Sequence, residues 1–453
     1  MKSNKDDFNK KLFIMKNFTK IVWLLIVVSG SVCAQQERGI KGTDNWLNAW
    51  TEFSPNTVDY GESTHVLTGN ITEDITLYKK HTYLLIGNVF VTNNAILSIE
   101  PGTVIMGDSK SKATLTITVG SAIIAEGTLT DPIVFTSNKM TKKAGDWGGV
   151  IILGDGYTNK LEKSSGTSFY AEIEPSNYKY TNFGGKSLKE NSGYISYVRV
   201  EYAGGKTKRS NVSNALLLGG VGVKTTINNV MVSYSAGNSF NVIGGAVNLN
   251  KMVSYKSKGN DYNFSYGAVC NINNSLAVRS PYISSGESRC INAVSYNSVK
   301  EVDFTKKGTA VIAKNVTLLT DTKNLDYEIE AGLIRESIYI GENTNFKIDK
   351  SIISGFSKAV ILDENIKVND ASLARIQFKN ICFNNCNGSV FLNFNDNNEN
   401  LENWYRNPSF SNVYFRTSHS ELFIDLNNSK RPDYRLLINK RIAMNNGSKI
   451  TNN

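Results

Sequence analysis

The stretch AILSIEPGTVIMG (residues 95–107) decides how the chain is read. Leu97 and Ile99 alternate with their neighbours at period two, the pattern of a strand that buries one face. Pro101 and Gly102 end the run, and Val104 and Ile105 begin another at once. The apolar-x-apolar pair returns as Leu115 and Ile117, as Ile133 and Phe135, and as Ile151 and Leu153, each 18 residues after the last. Val198 and Val200 are followed at the same interval by Leu216 and Leu218. A fixed period in short, Gly- and Pro-punctuated strands marks a chain that winds in coils, each turn stacked on the one before. The period predicts that Leu97, Leu115, Ile133 and Ile151 lie in line along one sheet.

The fold class expected is therefore all-β, a right-handed parallel β-helix. The left-handed hexapeptide helix also has coils of this length, but it needs an aliphatic residue at every sixth position. Counting on from Leu97 meets Thr103, Ser109, Ser121 and Gly127, which excludes it. The expected organisation is an export signal at 1–34, an N-terminal cap at 35–80, regular coils at 81–154, an inserted loop at 155–194, further coils at 195–430 and a C-terminal tail at 431–453. The cap is expected because a first coil exposes unpaired strand edges. Beyond residue 195 the spacing rises into the low twenties, which reads as lengthened loops. The many Asn residues suit the turns, because Asn tolerates the left-handed conformation and can bond to its own copy in the next coil.

The N-terminus carries six Lys before the apolar run IVWLLIVV (residues 21–28), and Val32-Cys33-Ala34 offers small residues for cleavage. That run is too short to span a bilayer, and no later stretch is apolar enough to do so. Met1 and Met15 are both workable starts. The chain is expected to be exported, as a secreted or outer-surface protein or in the periplasm. The formal charge is +10, but basic residues beyond the leader are scattered, which argues against nucleic acid as a partner. Cys270, Cys290, Cys382 and Cys386 remain after cleavage. Cys270 and Cys290 lie about one coil apart, Cys382 and Cys386 could close a small loop, and free buried thiols are the plainer alternative.

The segments ILSIEPGTVIMG, GTLTDPIVFTSN, GDWGGVIILG, NSGYISYVRVEYAGG, LLLGGVGVKTTINNVMVSYS and GGAVN resemble a family of secreted Bacteroidetes surface proteins. The resemblance covers about residues 44–280, with an echo at RPDYRL (residues 431–436). It implies a right-handed β-helix of the pectin-lyase type, often with a lipid anchor or a sorting domain, and no assigned activity. The sequence departs from the family's pattern where an acidic group is usual. Gly237, Asn238, Ser239, Phe240 and Asn241 stand there, and one coil later only Asp261 keeps a carboxylate. If those acids bind calcium in the family, most of the ligands are lost here.

Lyases and hydrolases on such a fold use converging carboxylates. Arg199 and Glu201 lie two apart on one strand face and could flank a groove, with Asp261 as a further acid; a surface ion pair is the plainer reading. The three histidines, His65, His81 and His419, stand far apart in sequence and away from Cys, so the sequence implies no metal site and no cofactor. The inserted loop is rich in aromatics. Tyr157, Tyr170, Tyr178 and Tyr180 could stack on sugar rings, or could pack the loop onto the coils. Three readings follow: a non-catalytic surface protein that binds a glycan or a cell-surface partner, a polysaccharide lyase or hydrolase, and an adhesive scaffold.

Overall fold

The computed structural model describes residues 37–437 except 163, 207–213 and 394–398. The expected signal segment, Cys33 and the tail from residue 438 lie outside the described residues. The architecture below belongs to the unit Arg38–Leu436.

The strands stack into three parallel sheets that the chain visits in turn, the arrangement of a right-handed parallel β-helix. Sheet I begins with the first halves of His65–Ile71 and Thr82–Val91, continues through Val104–Gly107 and Ile133–Ser137, and ends at Cys382–Cys386 and Val413–Phe415. Sheet II takes the second halves of the same two strands, then Thr114–Ile117, Gly149–Leu153 and on to Lys358–Leu362 and Val390–Leu392. Sheet III runs from Ile75–Leu77 and Ile96–Ile99 to Asn345–Asp349 and Ile376–Lys379.

The inward side chains form continuous ladders. On sheet III, Leu77, Ile99, Ala125, Ile195, Ile227, Leu249, Ile272, Ala313, Ile348 and Phe378 lie one above another. All ten are buried in one core cluster. Full burial of such a side chain is worth about 1.5–3 kcal/mol. A single coil would leave its ladder residues half-exposed above and below, so only a stack repays the ordering entropy.

The 18-residue period is real, but it is not one turn of the coil. Leu97 belongs to sheet III, between Ile75 and Ile123. Leu115 is on sheet II and Ile133 on sheet I, while Ile151 faces outward on sheet II between Thr116 and Leu217. The early strands recur about every nine residues, so 18 residues carry the chain two sheets onward from Leu97 to Leu115 and from Leu115 to Ile133, whereas the longer link before Gly149 makes the step to Ile151 one sheet. The low-twenties spacing further along is the true coil: Ile227, Leu249 and Ile272 are successive rungs.

From residue 193 onward the corner from sheet III to sheet I is turned by a single left-handed residue in each coil, at Tyr197, Asn229, Lys251, Asn274, Asn315, Lys350 and Asn380. Asn dominates this row, as its tolerance of positive φ requires. Stacked Asn side chains also occur, but on the strands. Asn271 donates to Asn248 and Asn273 to Asn250 on the open face of sheet III.

Residues 38–60 are not an end cap. They form a strap that runs lengthwise over the outside of sheet I, from the last coils towards the first. Arg38 donates to the carbonyls of Asn380 and Ser411. Gly39 N–H reaches the Lys350 carbonyl, Ile40 N–H the Thr317 hydroxyl, and Lys41 exchanges two hydrogen bonds with the Asn274 amide. Further down, Trp50 meets Tyr197 edge-on and Tyr60 reaches Glu201. Beneath lies an outward row of Val134, Arg199, Met231, Val253, Leu276, Thr317, Ile352 and Cys382, all buried. The C-terminal hairpin of Phe423–Asp425 and Asp433–Leu436 completes the cover. Its Arg435 donates to the carbonyls of Gly42 and Thr43, and Tyr434 packs by Phe53. The RPDYRL echo is thus part of this clasp. The stack itself begins at His65, inside the expected cap, and among the described residues no strand pairs with the outer edge of His65–Ile71 or Ile75–Leu77.

Residues 155–192 do not leave the stack. They lie on the outside of sheet II, where Tyr170 and Phe183 are buried against Phe90, Ile151, Leu153 and Leu217.

The strap ties the first-made residues to the last-made coils, and a test follows. Trp50→Ala, which empties a fully buried site, should cost about 3–5 kcal/mol. Urea unfolding followed by circular dichroism should then lose its single sharp transition, as the coils melt separately. An unchanged midpoint and slope would contradict the clasp.

Candidate functional site

Arg199 and Glu201 sit on sheet I beneath the strap, not beside a groove. The Arg199 Nε lies 3.4 Å from Glu201 Oε1 and its Nη2 donates to the Tyr60 hydroxyl at 2.9 Å. Tyr60 and Thr136 hydroxyls donate to the Glu201 oxygens at 3.0 and 2.9 Å. Asp261 is equally sealed, at a corner between sheets I and II. Arg279 donates to its Oδ2 at 2.9 Å and holds the carbonyls of Gly259 and Arg289, and Ser254 donates to Oδ1. Glu201 is 1% exposed and Asp261 0%. Burial pushes both carboxyls above their ordinary values, with the arginines pulling back. The two acids do not converge: each is held by its own arginine, and neither offers an oxygen to a substrate.

The tyrosines of the inserted loop divide. Tyr170 is buried, with its hydroxyl 3.0 Å from that of Thr116. Tyr180 packs against Phe90, and Tyr157 donates to the Lys307 carbonyl of a neighbouring loop. Tyr178 is exposed. The loop's aromatics serve mainly to hold it against the wall. The four cysteines are free thiols. Cys270 stacks between Val247 and Val311, not on Cys290. Cys290 is buried near Asp261, and Cys382 lies under the strap, where burial pushes its thiol up to about 12.

The outward row of sheet II changes character along its length. It reads Phe90, Thr116, Ile151, Leu217, then Asn241, Asn263, Asn292, Tyr339, Ile361 and Phe391. The first four lie under the inserted loop. Past it the row becomes amides: Asn263 Nδ2 donates to Asn241 Oδ1 and Asn292 Nδ2 to Asn263 Oδ1, both at 2.8 Å. Amides stack in this way because each both donates and accepts; carboxylates at one per coil would repel. Above the amides the Arg289 guanidinium lies 4.8 Å over the Tyr339 ring, bonded to Glu336, and Tyr339 donates to Asp363 at 2.6 Å.

The row leads to a pocket of about 440 Å³ at the last coils. Its walls carry Phe391, Tyr414, Glu402, Arg406, Arg416 and Asn387. The helix Glu399–Tyr405 supplies one side and caps the stack, with the Tyr405 hydroxyl on the Ile376 carbonyl. Glu402 is 3.6 Å from Arg406, one helical turn away, and Tyr414 stacks on Phe383 at 5.2 Å. The volume is within the usual range for small-ligand sites. The sequence signal was NWYRNPSFSNVYFRT (residues 403–417), where Trp404, Tyr405, Phe410, Tyr414 and Phe415 alternate with Arg406 and Arg416.

The three-sheet stack defines a β-helix domain, and a family model described as "Pectate-lyase like beta helix domain" matches residues 69–413. The chain belongs to this family. No curated protein and no solved structure matches it. Among the described residues no helix is long and apolar enough to cross a membrane, and no three His, Cys, Asp or Glu side chains converge as metal ligands.

Arg199→Ala separates a structural from a catalytic role for the Glu201 pair. Removing one partner of a buried pair should cost about 3–5 kcal/mol, read from the urea midpoint. Normal stability in this variant would contradict the assignment. Alkylation supplies a second test: among the four described cysteines, the half-buried Cys386, whose thiol burial pushes up to about 12, should react slowly in the native protein, and Cys270, Cys290 and Cys382 should react only after unfolding.

Proposed function

We propose that this chain is an exported, non-catalytic surface protein that binds a glycan along the outer face of sheet II, with one end of the ligand in the pocket at the last coils. The observation that carries the reading is the pocket's mixture of groups at the end of the amide row. Phe391 and Tyr414 offer apolar faces for a sugar ring. Arg406, Arg416 and Glu402 offer charged donors and acceptors for hydroxyl groups. The amide row continues the same chemistry outward at one residue per coil. The leader at 1–34 supports export. The sealing of Glu201 and Asp261 behind arginines favours binding over a lyase or hydrolase that would use them.

A glycan array probed with the mature chain is the first experiment, followed by calorimetry with a glycan that scores. Tyr414→Ala and the Arg406→Ala/Arg416→Ala double variant should each weaken binding roughly tenfold or more. Tyr178→Ala, on the inserted loop, should leave it unchanged. A blank array, or pocket variants that bind like the wild type, would overturn the reading.

A further inference from the structure

Two of the chain's three histidines meet at the uncovered end of the stack. His65 opens the strand His65–Ile71 of the first coil, and His81 immediately precedes Thr82–Val91 in the second. Their ring centroids are 3.9 Å apart with planes at 46°. His65 is exposed and His81 is half-buried. The Tyr83 ring stands beside both, at 5.6 and 6.2 Å. Sixteen residues of sequence separate the pair, so only the coil brings them together.

Thr64 engages one nitrogen of His65. Its hydroxyl lies 3.2 Å from the Thr82 carbonyl and 3.0 Å from Nδ1 of His65. Nε2 is then the ring nitrogen that Thr64 leaves for another partner. The Thr64 oxygen accepts the Thr82 N–H at 3.2 Å, which holds it in place. The nearby ammonium groups have other partners: Lys79 pairs with Asp131, and Lys80 lies over the Tyr78 ring.

We propose that His65 and His81 bind a borderline divalent transition metal, Zn²⁺ or Ni²⁺, with water completing the shell. Neutral imidazoles are the preferred ligands of such ions, whereas a hard cation such as Ca²⁺ would find no carboxylate in this pair. The ion joins the first coil to the second where no described strand covers the first. It therefore acts as a staple at the end of the stack most open to fraying.

The mature chain, prepared without a histidine tag, is titrated with ZnCl₂ and with NiCl₂ by calorimetry at about pH 7.5 and about pH 5. One equivalent should bind at the higher pH. Binding should fall away at the lower pH, because an imidazole must be unprotonated to hold a metal. His65→Ala and His81→Ala, and the gentler His65→Gln and His81→Gln, should each weaken binding roughly tenfold or more. Circular dichroism checks that each variant folds. Hydrogen exchange should show residues 66–68 better protected with metal than without. Wild-type binding no tighter than that of a folded H65A/H81A variant would overturn the site. Binding without added protection would overturn the staple.

Discussion

The structure rests on one constraint: an aliphatic ladder must be buried from above and below. A coil of some two dozen residues has an inside too small to bury its own side chains on both sides. Leu249 is covered because Ile227 and Ile272 occupy the same place one coil down and one coil up. Repeated on three sheets, this makes each coil the ligand of its neighbours, and it fixes strand register, since a slip by one residue would turn the ladder outward. The left-handed corner residues keep the three sheets in phase from coil to coil.

The same constraint explains what lies outside the coils. Outward rows that are apolar need a cover, and two segments supply it. The strap and the C-terminal hairpin cover sheet I; the inserted loop covers the first part of sheet II. Where the cover on sheet II stops, the row switches from Leu217 to Asn241. Asn241 is still buried there, Asn263 and Asn292 are half-buried, and the pocket lies beyond them. The carboxylates of Glu201 and Asp261 are closed inside arginine pairs, and the outward row of sheet II carries self-bonding amides.

Much of the fold was legible, because period-two strands and Gly-Pro punctuation are local signals. The coil length was not. Near residue 97 the interval between sheets is close to constant, so an interval of two sheets imitates a full turn, and Leu97 and Leu115 look like one ladder while belonging to two. The strap was invisible for a different reason. Ile40, Leu47 and Trp50 have no periodicity of their own; they are apolar because sheet I is apolar beneath them. The meeting of His65 with His81 has the same origin, since distance along the chain says nothing about neighbours once the coil is set. The two-residue spacing of Arg199 and Glu201 puts them on one strand face, but their burial depends on Tyr60, which arrives from the strap. The aromatic-basic alternation at residues 403–417 is a local signal, but nothing in it shows that the helix Glu399–Tyr405 folds back to wall a pocket.

The register can be tested on the open face of sheet III, where Asn248, Asn271 and Ile312 are exposed on successive coils. Adjacent parallel strands lie about 4.8 Å apart and alternate ones about twice that. Pairs of cysteines placed at 248 and 271, and at 248 and 312, are oxidised in the folded protein and mapped by mass spectrometry. The stack predicts fast coupling of Asn248→Cys with Asn271→Cys and none of Asn248→Cys with Ile312→Cys. Equal coupling of both pairs, or coupling of the second alone, would contradict it.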